Sequence, residues 1–282
     1  APMRGGREHS RAGGNGGNDM IQRKGAVNFI LRVLCLLVAF ACVTLLCWQY
    51  GVRRQGENAN EAMRRLYDPA AGAEEALPEP QAAFSQLLAA NPETVAYLDA
   101  AEGIEFAVVQ RDNEYYLTHN FFGEEAVEGT AFMDQGNSID PMDEHLLIHG
   151  HNMRNGTMFG ELSSFGEREF LLKNAVVRFD TLYENALYVP FAMFEASMDE
   201  DDGHYFDVRQ IVFDETSFEL FVLKLRGRSA FDVPVEVEYG DQLLTLVTCS
   251  YNDDDGRYIV ALRKLREGET EEDVREMMAE LE

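Results

Sequence analysis

Leu243-Leu-Thr-Leu-Val-Thr-Cys249, Ser250-Tyr-Asn-Asp-Asp-Asp-Gly256 and Arg257-Tyr-Ile-Val-Ala-Leu-Arg263 follow one another in the chain and read as strand, turn and strand. The outer runs are aliphatic and β-branched, and the middle is polar and closes on glycine. Cys249 ends the first strand, where rigid structure gives way to a loop and a side chain is reachable. If the turn closes a hairpin, Arg257 returns beside Cys249. A guanidinium there lowers a thiol pKa and offers a fork of donors to an oxyanion. An ordinary thiol, with pKa about 8.5, is only about 3% ionised at pH 7, so a catalytic cysteine needs such a neighbour.

The other three cysteines, Cys35, Cys42 and Cys47, lie in the longest apolar run, Val33 to Trp48. With Val27, Phe29, Ile30 and Leu31 ahead of it, that run reaches the roughly 20 residues needed to cross a bilayer. Arg4, Arg7, Arg11, Arg23 and Lys24 precede it, and Arg53 and Arg54 follow. This bias predicts a cytoplasmic N-terminus and an extracellular remainder. No small-residue cleavage site follows, which points to a retained single-pass anchor in the cell membrane. Cys249 is then the lone thiol of the exported part, without an intramolecular disulfide partner. A small core residue is the bland alternative for it.

Of the 24 Lys and Arg, 8 fall in residues 1–54, against 2 of the 50 Asp and Glu. Residues 55–282 therefore carry a net charge of −32. So acidic a domain repels nucleic acid and anionic lipid. Residues 1–26, rich in Gly, Arg and Asn, are expected to be a disordered cytoplasmic tail, with Met20 a candidate start. The anchor occupies 27–50, and 51–80 is a helical and linker stalk with a short polar helix over 57–67 and a Pro- and Ala-rich spacer over 68–80.

The catalytic domain is placed at 81–282. Helices are expected over 81–90 and 93–99, the first stopped at Asn91-Pro92. Strands are expected over 106–109, 115–117, 131–133, 145–148, 175–180, 185–195, 235–239, 243–248 and 257–265. Phe218, Phe221, Val222 and Leu225 have helical spacing, and so give a helix over 214–225 among the strands. A helical turn at 158–162 and a helix over 167–173 are also expected. Thr270 and Asp273 open a terminal helix. Many short strands with few helices predict a mainly β, closed or nearly closed barrel with helical decoration.

His151 lies in Leu147-Ile-His-Gly-His-Asn-Met153, also at a strand end. It is the candidate proton partner for Cys249. His149 and His151 form an H-x-H pair, but no third ligand stands at a convincing spacing, so no metal is expected. Asp199-Glu-Asp-Asp202 reads as a solvated loop. Asn252-Asp-Asp-Asp255 lacks the first and twelfth ligands of a calcium loop and reads as a turn.

Three separated motifs resemble the class B sortases. One is Ile148-His-Gly-His151-Asn-Met-Arg-Asn-Gly-Thr157-Met-Phe159, similar to the stretch around the family's catalytic histidine. Another is Thr248-Cys249-Ser-Tyr251 with Arg257 eight residues after the cysteine. The third comprises Asn91-Pro-Glu-Thr-Val-Ala-Tyr97 and Val108-Val-Gln-Arg-Asp-Asn-Glu-Tyr-Tyr-Leu117. His149 stands where the family usually has Tyr, and Ala96-Tyr97 where it has Gly-Trp. Arg263 is a second arginine on the Arg257 strand, but the spacing favours Arg257.

The resemblance implies an eight-stranded sortase-type barrel with helical insertions. It implies transpeptidation by Cys249, His151 and Arg257, with Thr248, Asn152 and Tyr251 as substrate-binding candidates and no cofactor. Implied partners are secreted proteins with a C-terminal sorting motif, cleaved after Thr, and an amine from a cell-wall precursor or a pilin. A secreted cysteine peptidase that uses water, and a membrane-tethered binding module with an inactive site, are the alternatives. An amine-dependent product separates the first, and survival of function in Cys249→Ala the second.

Overall fold

The computed structural model describes residues 16–66, 79–197, 199–249 and 256–281. Two compact units divide at Val52 and Arg53. The first is the greater part of helix α1 (Gly16–Arg64). Leu34–Arg64 holds a window of mean hydropathy 1.9, and its large apolar side chains Leu34 to Trp48 are exposed rather than covered by protein. One N-terminal helix is therefore long and apolar enough to cross a membrane. It starts at Gly16, inside the stretch expected to be disordered, because Met20-Ile-Gln-Arg-Lys24 are sound helix formers. Residues 1–15 lie outside the described residues, as does most of the expected spacer.

The second unit is built on eight strands: β1 (Thr94–Ala101), β2 (Ile104–Val109), β3 (Phe132–Met133), β4 (His145–His151), β5 (Val177–Thr181), β6 (Leu187–Ser197), β7 (Leu243–Cys249) and β8 (Gly256–Lys264). They close into a barrel in the order β1-β2-β3-β4-β7-β8-β6-β5. β2–β3 and β4–β7 are parallel, and the remaining pairs are antiparallel. Closure leaves no unpaired edge. Leu98, Phe106, Ile148, Phe179, Phe191, Leu246 and Val260 are among the buried residues of its core.

The unit begins before residue 81, the boundary expected from sequence. The end of α1 belongs to it, because Met63 is buried and its sulfur accepts the Ala107 N–H, while Arg64 pairs with Glu105. The expected polar helix over 57–67 is thus the last turns of α1, and not a separate element.

Three elements differ from the sequence reading. The expected helix at 93–99 is strand β1, since Ala96, Tyr97 and Leu98 are drawn into pairing with β2 and β5 on either side. The expected strand at 115–117 is a tight 3-10 turn, because Asp112 Oδ1 accepts the N–H groups of Glu114 and Tyr115 and winds the chain. The stretch 235–239 is not a strand. Arg226 donates to the carbonyls of Val233 and Val235, which diverts acceptors a ladder would need.

Helices α2 (Ser85–Ala90) and α3 (Arg168–Lys173) are short. α4 (Glu215–Arg226) buries the four residues that its spacing singled out, and Asp214 caps it by accepting the Ser217 N–H. α5 (Glu271–Ala279) is capped by Thr270 and Asp273, as the sequence predicts.

Under α4 lies His145, fully buried against the rings of Phe213 and Phe221. Its Nδ1–H donates to the Gln210 carbonyl at 2.7 Å, and Nε2 takes the Thr245 hydroxyl at 2.8 Å. Burial pushes its pKa down to about 4. The unfolded chain, with an ordinary histidine near 6.5, binds the proton more tightly. Stability is therefore full above about pH 6.5 and is expected to fall toward pH 4, by up to on the order of 3 kcal/mol. Denaturant titrations across that range check this. In His145→Gln the pH dependence should shrink even though the baseline is lower.

Candidate active site

β4 and β7 run side by side in the same direction, in register from His145↔Leu243 to His151↔Cys249. Both strands stop at this pair, so His151 and Cys249 stand together at one rim of the barrel. Leu146 and Ile148 of β4 and Leu244 and Leu246 of β7 are fully buried, as are His145, Leu147 and Thr245 between them, so this strand pair is packed on both faces. Gly150 has a steric role. A Cβ there would lie 2.8–3.1 Å from the Phe159 ring, so only glycine lets Phe159 pack on β4 beside His151. The chain then folds back over the rim, where the Phe159 N–H donates to the His151 carbonyl at 3.0 Å.

His151 is 9% exposed, and its Nε2 lies 2.7 Å from the Leu117 carbonyl oxygen. A carbonyl only accepts, so Nε2 carries the proton of the neutral ring. Nδ1 is then the nitrogen of the neutral ring that carries no proton. Leu117 thus fixes the tautomer and ring plane. Its role was not visible in the sequence, because it acts through its backbone and its turn was read as a strand. The Asp112-Asn113 pair was the available signal, since Asp favours side-chain-closed turns.

β7 and β8 pair antiparallel through Val247↔Ile259. Cys249 lies two residues beyond that last pair on β7, and Arg257 two residues before it on β8. Arg257 also faces Ala196 of β6, is partly exposed, and donates from Nη1 to the Gly256 carbonyl at 3.0 Å. Arg263 sits at the far end of β8. It is buried and grips both oxygens of Glu269 at 2.6 and 3.0 Å. That bond holds the Glu269 carboxyl below the usual range. The two arginines therefore differ in kind, and Arg263 is structural.

Of the substrate-binding candidates, Thr248 is buried, and its hydroxyl accepts the Tyr258 N–H at 2.7 Å, so it closes the β7–β8 ladder and does not line a groove. Asn152 is exposed at the rim, paired by backbone with Met158. Tyr251 lies outside the described residues. His149 is held by Asp134, Nε2 to Oδ2 at 3.1 Å, and this hydrogen bond lowers the Asp134 pKa. Among the described residues no group of three or more metal-type ligands forms.

No family model matches the chain. Sortase B of Listeria monocytogenes is 29% identical over 174 residues, 60% of this chain and 69% of that protein. The crystal structure of sortase B from Bacillus anthracis in complex with AAEK1 superposes with a TM-score of 0.67 at 25% identity, covering 77% of this chain and 99% of that one. Sortase B of Clostridium perfringens gives 0.54 at 26% identity, over 64% and 98%. These likenesses in sequence and in fold support a class B sortase. This sortase is a cysteine transpeptidase, and its substrates are proteins bearing a sorting motif.

The contrast between the two arginines is directly measurable. Arg263→Ala leaves Glu269 partly buried without its cation and is expected to cost about 3 kcal/mol. Arg257→Ala should leave the unfolding midpoint within error. Equal destabilisation by both would contradict these assignments. Thr248→Val should cost about 1–2 kcal/mol through the unmet Tyr258 N–H.

Proposed function

We propose that this sortase cleaves the C-terminal sorting motif of secreted proteins after Thr and transfers the acyl group to a cell-wall or pilin amine. The observation that carries the reading is the His151↔Cys249 strand pair. His151 Nδ1 takes the Cys249 thiol proton, and the thiolate attacks the Thr carbonyl carbon. Arg257, with a backbone N–H, stabilises the tetrahedral oxyanion. As the C–N bond breaks, His151 gives its Nδ1 proton to the leaving amine, and a thioester remains. The acceptor amine then attacks that carbonyl, its proton passes to His151, and the thiolate leaves. Asn152 binds the motif in this reading, and its exposure at the rim supports that role. The apolar helix fits a membrane anchor with its N-terminus in the cytoplasm and the barrel outside, supported by the basic residues that precede the run.

The test is a library of Thr-containing peptides presented to the full-length protein in detergent, with and without an added amine. An acyl adduct on the Cys249 peptide, and an amide product that requires the amine, are expected. Cys249→Ala should form neither, and Arg257→Ala should lower turnover about 100-fold, as loss of an oxyanion donor does. Hydrolysis alone under saturating amine would favour a peptidase.

A further inference from the structure

We infer that Gly129 is a positioning residue for catalysis, because it holds the Leu117 carbonyl that orients His151. The inference rests on reading His151 as the proton partner of Cys249.

Gly129 has a φ of +58°, a conformation that disfavours side chains. Space constrains it further. A Cβ would collide with the Tyr116 carbonyl oxygen and stand 3.0 Å from Leu117 O and 3.1 Å from Leu117 C. All three are backbone atoms, which cannot swing aside as a side-chain tip would. The Leu117 oxygen is also the atom 2.7 Å from His151 Nε2. Any residue larger than glycine therefore pushes on the peptide that sets the imidazole.

The surrounding hydrogen bonds leave that peptide little freedom to absorb the push. The Thr130 N–H donates to Tyr116 O at 2.9 Å, and the Ala126 N–H to Thr118 O at 2.9 Å. The Thr130 hydroxyl donates to His119 O at 3.0 Å. From the other side, the Tyr116 hydroxyl is fixed between Asn91 Nδ2 at 2.9 Å and Glu93 Oε2 at 2.5 Å. The segment 126–130 is thus laced along 116–119. Displacement at Gly129 is passed to Leu117 rather than dissipated. A misaligned or wrong-tautomer imidazole lowers turnover without weakening substrate binding.

The experiment uses the full-length protein and a Thr-containing peptide that wild type turns over in a Cys249-dependent way. Gly129→Ala is compared with Gly240→Ala, which has the same kind of backbone (φ +99°) but where a Cβ meets nothing within 4 Å. His151→Ala is the third variant. Gly129→Ala is expected to lower kcat about tenfold or more with KM within about twofold. Nitrogen-labelled histidine spectra should also lose the Nε2–H signature of His151. Gly240→Ala should show neither effect.

Unchanged kcat and ring spectrum in Gly129→Ala, with His151→Ala inactive, overturns this inference alone. Wild-type turnover in His151→Ala overturns the catalytic reading, and this inference with it. If Gly129→Ala does not fold, Thr130→Val carries the test. It removes only the hydroxyl bond to His119, and a lowered kcat with an altered His151 signal supports the inference, while no change in either overturns it.

Discussion

Everything in the proposed chemistry depends on the parallel pairing of β4 with β7. His151 and Cys249 are separated by nearly a hundred residues, and one uninterrupted ladder makes them neighbours. The cost of bringing such distant segments together is offset by a band of fully buried aliphatic side chains on the two strands. That burial holds the two strands side by side, and their register brings His151 level with Cys249. Packing and function are here one constraint.

The rim around this pair is fixed mainly by backbone groups. Leu117 offers a carbonyl to the imidazole, Gly150 makes room for the Phe159 ring, and Thr248 replaces a ladder acceptor for Tyr258. A carbonyl acceptor orients a histidine as a carboxylate does, but without a full negative charge beside it. In the proposed reaction the charge is supplied by Arg257, near the start of β8.

Much of this was legible in the sequence. The strand-turn-strand around Cys249 and the strand ending at His151 have unambiguous patterns, and α4 and α5 announce themselves by apolar spacing and capping residues. What was not legible has a common cause. β1 was mistaken for a helix because its burial on both sides erases alternation, leaving Val95-Ala-Tyr-Leu98 without a period to read. The 115–117 turn reads as a strand because aromatic residues favour strands, but the Asp112 side chain just upstream accepts the next N–H groups and winds the chain. Thr248, expected to line a groove, is buried instead, and its hydroxyl accepts the Tyr258 N–H.

The most direct measurement of the central claim is a cross-link across the proposed pair. His151→Cys in the full-length protein places two thiols on directly paired residues of adjacent strands, within the roughly 4.4–6.8 Å Cα separation that a disulfide spans. Mild oxidation followed by peptide mass mapping should yield a 151–249 disulfide. Free alkylation of both thiols under the same oxidant, with no such bridge, would contradict the register and the active site built on it.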